Sequence, residues 1–75
     1  TTRDAKTRLQ ELLQGKGYPL PVYEVVAISG DDHNQVFEVA CSCKAANKRQ
    51  VGTASSRKKA EQKAAAAMLE ILEHD

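Results

Sequence analysis

The sequence predicts an α+β domain of order α-β-β-β-α, a three-stranded antiparallel sheet with two helices packed on one face. Apolar residues recur at three- and four-residue spacing near both ends of the chain, at Ala5, Leu9, Leu12 and Leu13 and again over residues 60–72. Between them Phe37, Val39, Cys41 and Cys43 alternate with Glu38, Ala40, Ser42 and Lys44, the period of a half-buried strand. Short turn-forming clusters separate the segments, so successive strands are expected to pair as an antiparallel meander.

Asp4 is placed to cap a first helix over about residues 4 to 15, which Gly15 and Gly17 then end. Its outward stripe, Thr7, Gln10, Glu11 and Gln14, is polar and nearly free of positive charge. Pro19 and Pro21 force an extended approach to a strand over residues 23 to 28, rich in aromatic and β-branched side chains. Residues 30 to 34, Gly-Asp-Asp-His-Asn, form a turn. The alternating strand follows, with one face buried and one wet, and a second turn at residues 45 to 48 leads to a short third strand. From Ser56 the alanine-rich run predicts a helix whose face of Ala60, Ala64, Ala67, Met68 and Ile71 sits close against the sheet.

With 75 residues there is room for one small core, since a chain this short buries only about 60% of its unfolded surface. Hydrophobic residues at 41% and charged residues at 28% fit a folded globular domain, not a disordered tail. No uncharged stretch is long enough to span a membrane, and the first twenty residues are too charged for a signal peptide, so a cytoplasmic protein is expected. The start at Thr1 and Thr2 without methionine, with Arg3 and Asp4 at one end and Glu73, His74 and Asp75 at the other, reads as the cut edges of a larger protein. Cys41 and Cys43, two apart on one strand, point to the same side, which disfavours a bond between them and suits two buried thiols. A zinc site would need about four ligands, and the chain adds only His33 and His74.

Net charge is only +1, but seven cations stand against the single acid Glu61 between residues 44 and 63. That distribution predicts a polarised surface with a basic patch. Arg57, Lys58 and Lys59 fall in the first turn of the second helix. There the macrodipole makes each cation unfavourable by roughly 0.3 to 1 kcal/mol. Together with Ser55, Ser56 and free backbone N–H groups they form a site suited to phosphate oxygens.

Pro21-x-Tyr23-x-x-Val26-x-x-x-Gly30-x-x-His33-x-x-x-Phe37-x-Val39, followed by Gly52-x-Ala54-x-Ser56-Arg57-Lys58-x-Ala60 and an alanine-rich helix, resembles the double-stranded-RNA-binding domain over nearly the whole chain. Within that family Lys6 to Gln14 and the Pro19-Leu20-Pro21-x-Tyr23 segment are most similar to the carboxy-terminal domain of bacterial ribonuclease III. The resemblance implies three RNA contacts: the first helix, with Thr7, Gln10, Glu11 and Gln14, in one minor groove; the loop with Gly30 and His33 in the next; and Ser55, Ser56, Arg57, Lys58 and Lys59 on the phosphates between them. Gln10 and Glu11 suit 2′-hydroxyl donors. The sequence departs from the family where its usual proline is Asp31, where Asp32 adds a second acid, at Ala54, and at Glu61 in place of a third lysine.

No Ser-His-Asp, Cys-His or paired-carboxylate arrangement is readable, so catalysis by this chain is not expected. If the parent is ribonuclease III, the resemblance implies that Mg²⁺-dependent RNA cleavage and homodimerisation belong to a separate amino-terminal domain. This part would then be a monomeric substrate-binding domain with no cofactor of its own. Sequence-specific DNA binding is disfavoured, because no helix joins base-reading side chains to a basic flank. A protein-interaction module is the alternative, kept open by Glu61 and the acidic loop.

Overall fold

Asp4 caps the first helix, its Oδ1 accepting from the Thr7 N–H at 2.8 Å, and α1 then runs over Ala5–Gly15. A computed structural model of the protein describes residues 3–74; Thr1, Thr2 and Asp75, expected as parts of cut edges, lie outside the described residues. The helix ends at Lys16, and Gly17 follows with φ at 74°, a left-handed conformation that only glycine adopts without strain. Leu9 and Leu13 are fully buried, with Ala5 and Leu12 packed beside them.

Three strands follow, β1 (Val22–Ser29), β2 (Val36–Cys43) and β3 (Lys48–Ala54), paired antiparallel with β2 in the centre. Tyr23 lies opposite Cys41 and Val25 opposite Val39, but the next pair is Ala27 with Glu38. Val26 is therefore an extra residue, a bulge, and beyond it Ile28 returns to the face of Phe37. A 3₁₀ turn at Lys44–Ala46 and Asn47, left-handed with φ at 54°, connect β2 to β3. Asparagine tolerates that conformation better than other side-chain-bearing residues.

Helix α2 (Arg57–Glu73) crosses the inner face of the sheet and also meets α1, giving the predicted α1-β1-β2-β3-α2 order. It lies so close to β3 that a Cβ on Gly52 would come 2.7 Å from the Ala60 carbonyl oxygen and collide with the Ala64 nitrogen. Alanines at 60 and 64 make this approach possible, and Leu9, Leu13, Val39, Cys41 and Met68 fill the core around it. Each large apolar side chain buried there contributes roughly 1.5 to 3 kcal/mol.

Two expectations need correction. Ala67 and Ile71 are only partly buried, whereas Ala65, Leu69 and Leu72 join Ala60, Ala64 and Met68 in the core. The buried stripe of α2 is rotated and broadened because the helix must cover α1 as well as the sheet. Ala40, assigned to the wet face of β2, is 1% exposed. It is short, lies on the central strand, and is flanked by Glu24 and Val51 across the two ladders. Cys41 and Cys43 are free buried thiols, and burial pushes the Cys41 thiol up.

Candidate nucleic-acid interface

Ser56 opens α2 by accepting the Lys59 N–H on its Oγ at 3.2 Å and the Ala60 N–H on its carbonyl at 2.9 Å. Helix geometry leaves the N–H groups of Arg57 and Lys58 without intrahelical acceptors. The side chains of Arg57, Lys58 and Lys59 are exposed around them, as is Ser55. The Ser56 hydroxyl retains its own proton as a donor after acting as the cap acceptor.

Thr7, Gln10, Glu11 and Gln14 are all exposed on α1. A cleft of about 360 Å³ joins part of this stripe to α2: Thr7 and Gln10 line it together with Lys58, over a floor that includes Leu20, Pro21 and Tyr23. Glu11 lies outside the cleft lining and pairs with Arg3 at 2.6 Å, an exposed contact that solvent weakens.

The two helices are tied together at the edge of this cleft. Lys6 Nζ donates to Glu61 Oε1 at 2.8 Å, and Arg57 Nε donates to Glu61 Oε2 at 3.0 Å. Gln62 accepts the Lys6 backbone N–H at 3.2 Å and donates to Asp4 Oδ2 at 3.0 Å. The hydrogen bond from Lys6, reinforced by Arg57, holds the Glu61 carboxyl below its ordinary range. Asp4 is likewise lowered, chiefly by the Thr7 N–H. Lys6 Nζ also stands 4.8 Å from the centre of the Tyr23 ring, within cation–π range. The Tyr23 hydroxyl has no hydrogen-bond partner among the described residues, and burial raises its pKa.

The β1–β2 loop leaves the same end of the sheet as α2, since Ser29 faces Val36 and Phe37 faces Ala54. Gly30 has φ at 88°, and a Cβ there would collide with the Asn34 carbonyl oxygen. Asp31 Oδ1 accepts from the His33 N–H at 3.0 Å and the Asn34 N–H at 2.9 Å. This Asx turn orders the loop by hydrogen bonding where the family's usual proline would do so by covalent restraint. His33 and Asp32 are exposed, and neither side chain has a hydrogen bond or ion pair within the described residues.

The cations expected to make a basic patch fall mainly into two groups, with Lys63 on α2 beside Gly52 between them. Lys44, Lys48 and Arg49 lie at the end of β3 where Lys48 faces Cys43, and Arg57, Lys58 and Lys59 follow the other end. A seven-residue strand, about 20 Å long, separates the two groups. Sequence reasoning did not assign Lys6 or Gln62 to this surface. The available signal for Lys6 was its position one turn before Gln10, which extends the polar stripe. Among the described residues no group of three or more His, Cys, Asp or Glu is placed to hold a metal ion, and no helix is long and apolar enough to cross a membrane.

Comparison with known proteins places the chain in a family. The family profile described as Double-stranded RNA binding motif matches residues 5–72. The chain is 49% identical over 70 residues to Ribonuclease 3 of Glaesserella parasuis, covering 93% of this chain and 31% of that protein. It is 56% identical over 70 residues to Ribonuclease 3 of Delftia acidovorans, again 93% and 31%. Over all 75 residues it is 48% identical to Ribonuclease 3 of Blochmanniella pennsylvanica, covering 33% of that protein. It therefore spans about a third of the length of these relatives. A solved structure of Arabidopsis HYL1, described with its implications for miRNA processing, superposes with a TM-score of 0.74 at 34% identity, covering 91% of this chain and 96% of that one. The chain belongs to the double-stranded-RNA-binding domain family.

Proposed function

We propose that this domain binds double-stranded RNA by shape, as the substrate-binding domain of a ribonuclease III. The carrying observation is the start of α2, where Arg57, Lys58 and Lys59 surround unsatisfied N–H groups against the macrodipole and Lys58 shares a cleft with Thr7 and Gln10. Cations of α2 meet phosphates across the major groove. Thr7, Gln10, Glu11 and Gln14 meet 2′-hydroxyls in one minor groove, and Gly30 and His33 enter the next. Ser55 and Ser56 add hydroxyl donors to the phosphate contact. The 41 Å long axis of the molecule is of the same order as a site of about 16 base pairs.

In this reading the chain is one monomeric domain of a larger cytoplasmic endonuclease. RNA cleavage, its Mg²⁺ and homodimerisation belong to other parts of that protein, in keeping with the identity of the relatives and the share of their length matched. The domain's contribution in this reading is affinity and placement.

Titration against an RNA duplex of about twenty base pairs, the same-sequence DNA duplex and the single strands tests the function. Binding confined to the RNA duplex is expected. With about four phosphates contacted, the slope of log K against log salt should be near −3 to −4 by analogy with duplex DNA. Absence of binding to any of them would favour the protein-interaction alternative, for which the partly exposed Val22, Val36 and Val51 on the sheet offer apolar surface.

A further inference from the structure

Two helix N-termini meet at the cleft, and both carry cations. Lys6 lies in the first turn of α1, and Arg57 and Lys58 in the first turn of α2. Each macrodipole adds partial positive charge at its end, so close approach is unfavourable unless an anion stands between them. Glu61 reaches both sides, with one carboxylate oxygen 2.8 Å from Lys6 Nζ and the other 3.0 Å from Arg57 Nε. Asp4 also joins the two helices, accepting from the Thr7 N–H on α1 and from the Gln62 amide on α2, but Glu61 is the acid that pairs with a cation on each helix.

Two details separate this carboxylate from an ordinary surface ion pair. Its side chain is 14% exposed while that of Arg57 is 60% exposed, so the acid is enclosed and the guanidinium remains open. Arginine four residues before glutamate is also the less favourable helical orientation, so the pair is not arranged to stabilise α2. Engaging Nε uses one of five guanidinium N–H donors and leaves four on the terminal nitrogens for another acceptor.

We infer that Glu61 is a positioning residue for RNA binding: it clamps Lys6 to Arg57, presenting the polar stripe of α1 and the cationic start of α2 as one preset surface. The inference rests on the reading of this face as the RNA site. A preset surface raises apparent affinity because a larger fraction of molecules is already competent to bind. Bare electrostatics predicts the opposite role, that of an acid repelling a polyanion.

The test is a set of RNA-duplex titrations across a salt series for the unaltered domain, Glu61→Asp, Glu61→Gln, Lys6→Met and the Lys6→Met/Glu61→Gln pair, with melting temperature followed in each. Glu61→Asp keeps the charge and shortens the reach by one methylene; weakening of about threefold is expected from a lost or lengthened hydrogen bond. Glu61→Gln should weaken binding about as much, despite removing a negative charge, and should make the salt slope shallower as Arg57 loses its placement. Destabilisation alone would lower the melting temperature without changing the slope of the folded fraction. The double variant should bind no more weakly than the weaker single variant, the non-additivity of one shared contact. Unchanged affinity in Glu61→Asp, or tighter binding with a steeper slope in Glu61→Gln, would overturn the clamp alone. No RNA binding by the unaltered domain would overturn the function and the clamp together.

Discussion

The start of α2 and the β1–β2 loop leave the same end of the sheet, yet one carries Arg57, Lys58 and Lys59 and the other Asp31 and Asp32. On α2 the side chains offer charge, and the Ser56 cap fixes the backbone beneath them. In the loop the roles are reversed: a charged side chain, Asp31, turns inward to hold the N–H groups of His33 and Asn34. Net charge by region would rate the loop as hostile to RNA. Hydrogen bonding shows that one of its acids is part of the scaffold, and only Asp32 is left as a free negative charge.

Loss of the α2 cations should have the largest effect. Replacing Arg57 and Lys58 together with alanine should weaken binding about twenty-five-fold at physiological salt, roughly fivefold per lost phosphate contact. Melting temperature should change little, because alanine favours the helix and the clash with the macrodipole is relieved while Glu61 loses its Arg57 partner. Unchanged affinity by titration would remove α2 from the interface.

The loop should give a smaller response with a sign that depends on the substituent. Asp31→Ala loses the Asx turn and is expected to weaken RNA binding about fivefold, the scale of one net hydrogen bond. Asp31→Asn keeps an acceptor and loses the charge, so affinity should equal or exceed the original. Asp32→Asn, at a side chain with no hydrogen-bond partner among the described residues, should tighten binding by about twofold at most. Equal tightening in Asp31→Ala and Asp31→Asn, read by titration, would reduce the loop acids to simple charge.

The smallest expected effect is on acid stability. The folded-state pKa values of Glu61 and Asp4 are depressed. Their contributions are present above the unfolded-state pKa values and are lost as pH falls through the folded ones. Melting temperature should therefore decline below about pH 4.5, with a flatter decline in Glu61→Gln. An identical acid limb in that variant, followed by circular dichroism, would show that the clamp adds nothing to stability.

Much of this fold is legible in local sequence because its determinants are local. Asp4 and Ser56 cap the helices they precede, and the alternation from Phe37 to Cys43 marks the central strand. What escapes is set by neighbours distant in sequence. Ala40 is buried by the strands on either side, and the inward face of α2 includes Ala65, Leu69 and Leu72 because α1 takes part of it. The same holds at the candidate interface. The cations at 57 to 59 announce themselves against the helix dipole, but the partnership of Lys6 with Glu61 spans 55 residues and has no local signature. In the linear chain Glu61 is a misplaced acid; in the fold it is the counter-ion of two helices.

The bulge at Val26 bears on how this domain can change in length. Pairing before it joins Val25 to Val39 and after it Ala27 to Glu38, so the strand already contains one residue more than its partner. Deleting Val26 would restore a regular ladder without moving any other β1 residue to the opposite face, whereas deletion within a regular stretch inverts every side chain in the remainder of the strand. The local change would be in twist and bend, and these aim the Gly30 loop relative to α2. A one-residue deletion at this point would thus change the separation of the Gly30 loop from the start of α2 while leaving the core side chains of β1 in register.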